Sequence, residues 1–170
     1  MSVKKLPDVE VLRELLSYDP DTGLFTWLID RGYKARAGAA AGSLNKSGYI
    51  LISINMERYQ AHRIAYKMMY EVEPPDLLDH IDGDTKNNRI SNLRPATPKH
   101  NQGNTKTPVH NRSGVKGVSW NKKMKRWAAQ IGVNNKRVYL GGFHTKEEAA
   151  CAYTDAARKH FGDFAKGEGL

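Results

Sequence analysis

Apolar and polar positions alternate with two different periods along this chain, and the changes of period mark its elements. Val9, Leu12, Leu15 and Leu16 fall at helical spacing, which predicts a short helix over 9–16 with Asp8 as its cap. Tyr18-Asp19-Pro20-Asp21-Thr22-Gly23 has the composition of a turn, and 24–28 reads as a strand rich in aromatics. Residues 30–47 carry Gly, Ala, Lys and Ser without a period and read as a loop. Over 49–55 the period becomes two, with Ile50, Ile52 and Ile54 against Tyr49, Leu51 and Ser53, so a strand is expected. Met56 and Glu57 then turn the chain, and 58–60 returns as a pairing strand. Helical spacing resumes at Ile64, Ala65, Met68 and Met69, predicting a helix over 61–70 that Pro74-Pro75 brings to an end.

Leu77-Leu78 predicts a short buried strand that delivers the chain to Asp79 and His80. Ile90 and Leu93 mark the return arm of a long hairpin or compact loop. Thr97-Pro98 opens a helix, with Thr97 as its cap, and puts Asn101 within about its first turn. From Gly103 to Ser113 the chain is polar, contains Pro108 and loses its apolar period, which is the pattern of a linker. Three strands are expected at 115–120, 126–133 and 136–143, joined by polar turns at 121–125 and 134–135. Thr145 and Glu148 form a capping box for a final alanine-rich helix that can lie close against a sheet. The fold class is α+β. The expected organisation is a first domain at 1–104, a linker at 105–111 and a second domain at 112–170.

Composition narrows the function. Cys151 is the one cysteine of the 170 residues, so no internal disulfide and no thiolate zinc cluster can form, which fits a reducing cytoplasm. No apolar run approaches a membrane span, and the N-terminus lacks the shape of a signal peptide. The formal net charge is +9 and is unevenly spread. Residues 1–104 hold 14 Lys and Arg against 13 Asp and Glu, whereas 105–170 hold 13 against 5. A basic C-terminal domain points to a polyanionic partner, nucleic acid above all.

The candidate chemistry lies between 79 and 101. Phosphodiester hydrolysis needs an activated water, a counter-charge at the phosphate and stabilisation of the leaving oxygen. One Mg²⁺ or Mn²⁺ held by one or two protein oxygens supplies the last two. Asp79 offers a carboxylate and Asn101 an amide oxygen. His80, beside Asp79, carries an imidazole, a group that can serve as general base. A carbonyl on its other ring nitrogen would fix the tautomer. Asn92 is placed to pin the loop by bonding its backbone. Asp82 and Asp84 read as shapers of the turn. In the basic region, strand alternation gives Arg126, Ala128 and Gln130 one face, and gives Arg137 and Tyr139 a shared face. Lys116, Trp120, Lys122 and Lys123 add charge and an aromatic group. Such a sheet can enter the major groove of duplex DNA with its helix behind it.

Three segments taken together carry a family resemblance: Asp79-His80-Ile81-Asp82-Gly83-Asp84, Asn87-Asn88-Arg89-Ile90-Ser91-Asn92-Leu93-Arg94, and Ala96-Thr97-Pro98-Lys99-His100-Asn101. This set resembles the HNH nucleases, in the subgroup of phage and intron-encoded homing endonucleases. Tyr18-Asp19-Pro20-Asp21-Thr22-Gly23 and Tyr59-Gln60-Ala61-His62-Arg63-Ile64-Ala65 extend the likeness across most of residues 10–104. It implies a ββα-metal fold binding one divalent ion. By position Asp79 and Asn101 match the metal ligands, His80 the general base and Asn92 the asparagine that holds the loop. Many members end the motif with a histidine ligand, and His100 adjoins Asn101. Helix neighbours diverge by about 100°, and the subgroup's pattern favours Asn101. His62 is a candidate to stand behind the base or to face DNA, and equally reads as a satisfied histidine packed beside the sheet.

Lys116-Gly117-Val118-Ser119-Trp120, Arg126-Trp127-Ala128-Ala129-Gln130-Ile131, Arg137-Val138-Tyr139-Leu140-Gly141-Gly142-Phe143 and the start of the last helix resemble the AP2 DNA-binding domain over about 112–166. The resemblance places Lys116, Gln130, Arg137 and Tyr139 at DNA-contacting positions. Ser119 and Gly132 stand where plant members usually carry arginine, so the plant target sequence does not transfer. Arg126, Trp120 and the turn lysines join the expected surface. The expected protein is a cytoplasmic, phage- or bacterium-encoded endonuclease acting on double-stranded DNA, as a monomer or homodimer. The alternatives are a non-catalytic DNA-binding regulator with a vestigial nuclease site and, more distantly, an RNA-binding protein.

Overall fold

The structure is a computed structural model that describes residues 4–33, 35–97, 111–134 and 136–165. The chain forms two compact units, Met1–Pro95 and Ala96–Leu170. Among the described residues no helix is long and apolar enough to cross a membrane.

The first unit begins with α1 (Val9–Leu15) and runs directly into β1 (Leu16–Tyr18), which pairs antiparallel with β2 (Phe25–Trp27). The helix stops one residue before the spacing predicts, because Leu16 takes an extended backbone and starts the strand. A second sheet has the order β3 (Ser43–Leu44), β4 (Ile50–Ile54), β5 (Glu57–Gln60), all antiparallel. The strand β3, and a bridge from Ala40 to Thr26, lie inside the stretch expected to be loop. Two-residue pairings leave no periodic trace. In β4 the period of two is literal, since Ile52 and Ile54 are buried and Ser53 between them is exposed. Burying each such side chain stabilises by about 1.5–3 kcal/mol.

The helix α2 (Ala61–Tyr70) follows and has the bounds its spacing predicts. It buries Ala61, Ile64, Ala65 and Met68 in a core shared with Leu12, Leu16, Phe25 and Ile52. It also buries His62, Arg63 and Lys67, which an apolar pattern does not anticipate. Two of these tie down the segment leading to the next strand. Arg63 donates to the carbonyl oxygens of Pro74 at 3.1 Å and Pro75 at 2.7 Å. Lys67 pairs with Glu73 and donates to the Leu6 carbonyl at 3.4 Å. So anchored, the chain enters β6 (Leu78–His80), which pairs antiparallel with β7 (Leu93–Pro95) after a 3₁₀ turn at Ile90–Asn92.

The second unit is a three-stranded antiparallel sheet in the order β10 (Lys136–Phe143), β9 (Arg126–Val133), β8 (Val118–Asn121), with α3 (Lys146–Phe161) packed on one face. The strand β8 starts later than expected because Gly117 sits at φ +73°, which ends extended backbone. A Cβ at Gly117 would lie 2.3 Å from the Tyr153 ring and 2.5 Å from the Gln130 carbonyl oxygen, so only glycine fits between strand and helix. Ala149 and Ala157 bring α3 close against Val118, Ala129 and Ile131. The Thr145 and Glu148 capping box is present. The helix expected to open at Pro98, its residues His100 and Asn101, and positions 105–110 of the expected linker lie outside the described residues.

Candidate functional site

Strand β6 presents Asp79 and His80 in succession, opposite Arg94 and Leu93 of β7. Both side chains are buried, at 6% and 4% exposure. The ladder brings Arg94 across to Asp79, and its Nε and Nη2 reach Asp79 Oδ2 at 3.1 and 3.0 Å. This forked contact orients the carboxylate and balances its charge where burial leaves a lone charge costly. On the other side, His80 Nε2 lies 3.3 Å from Asn88 Oδ1. The His62 ring meets the His80 ring edge-on at 5.0 Å, and Tyr49 closes the cluster at 6.2 Å. Burial, then the neighbouring His80 and Arg63, push the His62 imidazole down to about 3, so it is neutral at ordinary pH.

The loop between the strands is held by side chains. Asn92 is the centre of that network. Its Oδ1 accepts from the Asp82 amide at 3.1 Å, and its Nδ2 donates to Asp82 Oδ1 at 3.0 Å and to the Asn87 carbonyl at 2.8 Å. Asp82 in turn accepts from the Asp84 amide at 2.8 Å and from Asn87 Nδ2 at 2.6 Å. Burial pushes the Asp82 carboxyl up. The hydrogen bonds from Asn87, the Asp84 amide and Asn92, with His80 nearby, outweigh it and hold the group below its usual range. Asp82 and Asp84 therefore serve the turn. The N-terminal turn clamps the same loop from outside. Tyr18 Oη donates to the Asn88 carbonyl at 2.7 Å, and the Ile90 amide donates to the Pro20 carbonyl at 3.2 Å.

Of the residues singled out by sequence, the fold gathers Asp79, His80, Asn92 and His62 at one hairpin. Asn101 and His100 lie outside the described residues. Asn88 and Arg94 fall within the quoted motif, but nothing in the chain around them marks their contacts. An amide two residues past a lysine and an arginine after a leucine look like loop and edge residues until the ladder pairs them.

The chemistry of the donors fits a hard divalent cation. Among the described residues no three His, Cys, Asp or Glu side chains gather into a cage. Hard cations bind through a few oxygens and keep their waters, so one carboxylate with a further oxygen donor is enough.

In the second unit the register puts Gln130 opposite Tyr139 and Gly132 opposite Arg137, so Arg126, Gln130, Arg137 and Tyr139 share the exposed face. Trp120 pairs with Trp127 instead, in an edge-to-face contact at 5.3 Å. Strand alternation sets both with Val118 and Ala129, on the face that carries α3. A groove of about 790 Å³ is lined by residues of all three strands and of the segment before them, among them Arg112, Lys116, Lys122 and Arg137 with Trp120 and Trp127. Cations and aromatic rings interleaved in this way suit a sugar-phosphate backbone and its bases.

Comparison with known proteins agrees with both halves. An HNH endonuclease family model matches residues 59–102, and an AP2 domain model matches residues 113–162. The chain is 38% identical over 89 residues to Protein 3.8 of Escherichia phage T7, a match covering 52% of this chain and 73% of that protein. It is 37% identical over 124 residues to an uncharacterized HNH endonuclease of Acanthamoeba polyphaga mimivirus, covering 72% of this chain and 63% of the relative. Over 67 residues it is 39% identical to Dehydration-responsive element-binding protein 2E of Oryza sativa subsp. japonica, covering 38% of this chain and 20% of the rice protein. No solved structure matches the chain.

Proposed function

Because the chain belongs to the HNH endonuclease family and carries an AP2 domain after its nuclease domain, we propose that it is a DNA endonuclease using one Mg²⁺ or Mn²⁺ ion. It hydrolyses phosphodiester bonds and grips duplex DNA with its C-terminal sheet. The observation that carries this reading is the pair Asp79 and His80, buried side by side at the end of a hairpin whose loop Asn92 ties into a fixed shape.

His80 takes the proton of the attacking water. Asp79, with Asn101, would hold the ion. Arg94 keeps the Asp79 carboxylate aimed. When bound, the ion supplies positive charge against the phosphate and the departing oxygen. Asn92 keeps the loop from drifting and so preserves the spacing of Asp79, His80 and the phosphate. The phosphate backbone meets Lys116 and Arg126, and Gln130, Arg137 and Tyr139 face the groove of the duplex. The first module and its boundary near residue 104, the linker at 105–111 and the second module at 112–170 divide cutting from holding.

The test is nicking of a supercoiled plasmid by the full chain with Mg²⁺ or Mn²⁺ and with EDTA. We expect nicking that EDTA abolishes and that His80→Ala lowers by about a hundredfold or more. His80→Ala cutting at the unsubstituted rate overturns the assignment. Tight duplex binding with no cutting by the unsubstituted chain returns the protein to the class of DNA-binding regulators.

A further inference from the structure

The nuclease reading leaves open what decides which ring nitrogen of His80 carries its proton. We propose that Asn88 is the positioning residue that sets the His80 tautomer, and that the N-terminal turn at Tyr18–Gly23 holds Asn88 in place for that purpose. The inference rests on the nuclease reading for its functional meaning, but its structural content stands apart from activity.

Asn88 is 1% exposed, so its amide satisfies its hydrogen bonds inside the protein. Its Nδ2 faces the Lys86 carbonyl oxygen at 3.3 Å, and a carbonyl can only accept. That contact fixes the amide's orientation and turns Oδ1 toward His80 Nε2, 3.3 Å away. An amide oxygen also can only accept, so Nε2 must carry hydrogen. In the neutral ring this leaves the lone pair on Nδ1, and Nδ1 is then the nitrogen that receives the proton of water. The opposite tautomer would set two lone pairs against each other in a buried site.

The backbone of Asn88 is fixed with equal care. Its amide donates to the Lys86 carbonyl at 3.1 Å, and its own carbonyl accepts from Tyr18 Oη at 2.7 Å. Gly23, at φ +74°, packs so closely that a Cβ there would lie 2.6 Å from the Asn88 carbonyl carbon and 2.5 Å from the Arg89 nitrogen. The Ile90 amide donates to the Pro20 carbonyl. A turn some seventy residues upstream thus supports the acceptor that aims the base. The His62 ring, edge-on to His80, limits rotation of the imidazole from the other side.

The experiment combines spectroscopy with kinetics on the full chain. Long-range ¹⁵N–¹H correlation of the imidazole of His80 reports its tautomer directly. The unsubstituted protein should show the Nε2–H form, and Asn88→Ala should mix the two forms. In plasmid nicking, Asn88→Ala should lower kcat by about tenfold to a hundredfold with little change in KM. Asn88→Asp keeps an acceptor oxygen toward Nε2 but sets its second oxygen against the Lys86 carbonyl, so it should restore the Nε2–H form and only part of kcat. Tyr18→Phe offers a milder perturbation, and its tautomer mixing should fall between those of the unsubstituted chain and Asn88→Ala. An Nδ1–H ring in the unsubstituted protein overturns the proposal, as does an Asn88→Ala variant with unchanged tautomer and kcat. A chain that nicks nothing strikes the nuclease reading alone, and the tautomer still decides the role of Asn88.

Discussion

Replacing Gly23 by alanine tests whether the first turn and the loop between β6 and β7 are as tightly joined as the structure has them. Two costs apply. The residue sits at φ +74°, where an L side chain costs roughly 1–2 kcal/mol. The added Cβ would also lie 2.5 Å from the Arg89 nitrogen and 2.6 Å from the Asn88 carbonyl carbon, both backbone atoms that cannot swing aside. Forcing backbone apart in a packed region costs about 1–3 kcal/mol more. The expected loss is therefore about 2–5 kcal/mol. Gly38 provides the control, because it has φ +80° and nothing within 4 Å of a Cβ, so its alanine variant carries the first cost alone. Urea unfolding followed through the Ile52 and Ile54 methyl signals reports on this unit only. Gly23→Ala should lower stability by about 1–3 kcal/mol more than Gly38→Ala. Equal losses in the two variants would refute the claim that the turn presses on the Asn88 backbone.

Two further outcomes are expected. His62 is buried neutral, with its imidazole pushed down to about 3 from an ordinary 6.5. Its contribution to stability is complete above pH 6.5 and is lost as pH falls toward 3. Between pH 7 and 4.5 the loss should be about 2–3 kcal/mol, and His62→Phe should flatten that slope in urea unfolding. Arg137→Ala should weaken duplex binding and relax its sequence preference with little change in the slope of log affinity against log salt, measured by fluorescence anisotropy at several salt concentrations. A slope reduced by about 1 with the preference unchanged would assign the guanidinium to a phosphate instead.

Much of the architecture could be read from the chain because it is written in local patterns. The period of two in 49–55 reports one buried face, and Ile52 and Ile54 occupy it. The helix over Ala61–Tyr70 has the bounds its spacing and following prolines imply. The capping box at Thr145 and Glu148 is a contact between residues three apart and needs no tertiary knowledge. Asp79, His80 and Asn92 come in a recognisable order in the chain, and the fold brings them together at one hairpin.

What the fold alone decided are the pairings between distant residues. Nothing near Arg94 in the sequence marks it as the partner of Asp79. The β6–β7 register does that, by setting positions fifteen residues apart directly opposite one another. Trp120 looks like its basic neighbours in a one-dimensional list, yet alternation through the sheet puts it against Trp127 on the α3 face. The hydrogen bond from Tyr18 to Asn88 spans seventy positions. A local pattern records which side of an element faces apolar surroundings, because burial acts on each residue separately. It does not record which polar group completes another's hydrogen bond, because that depends on where the whole chain brings the two together.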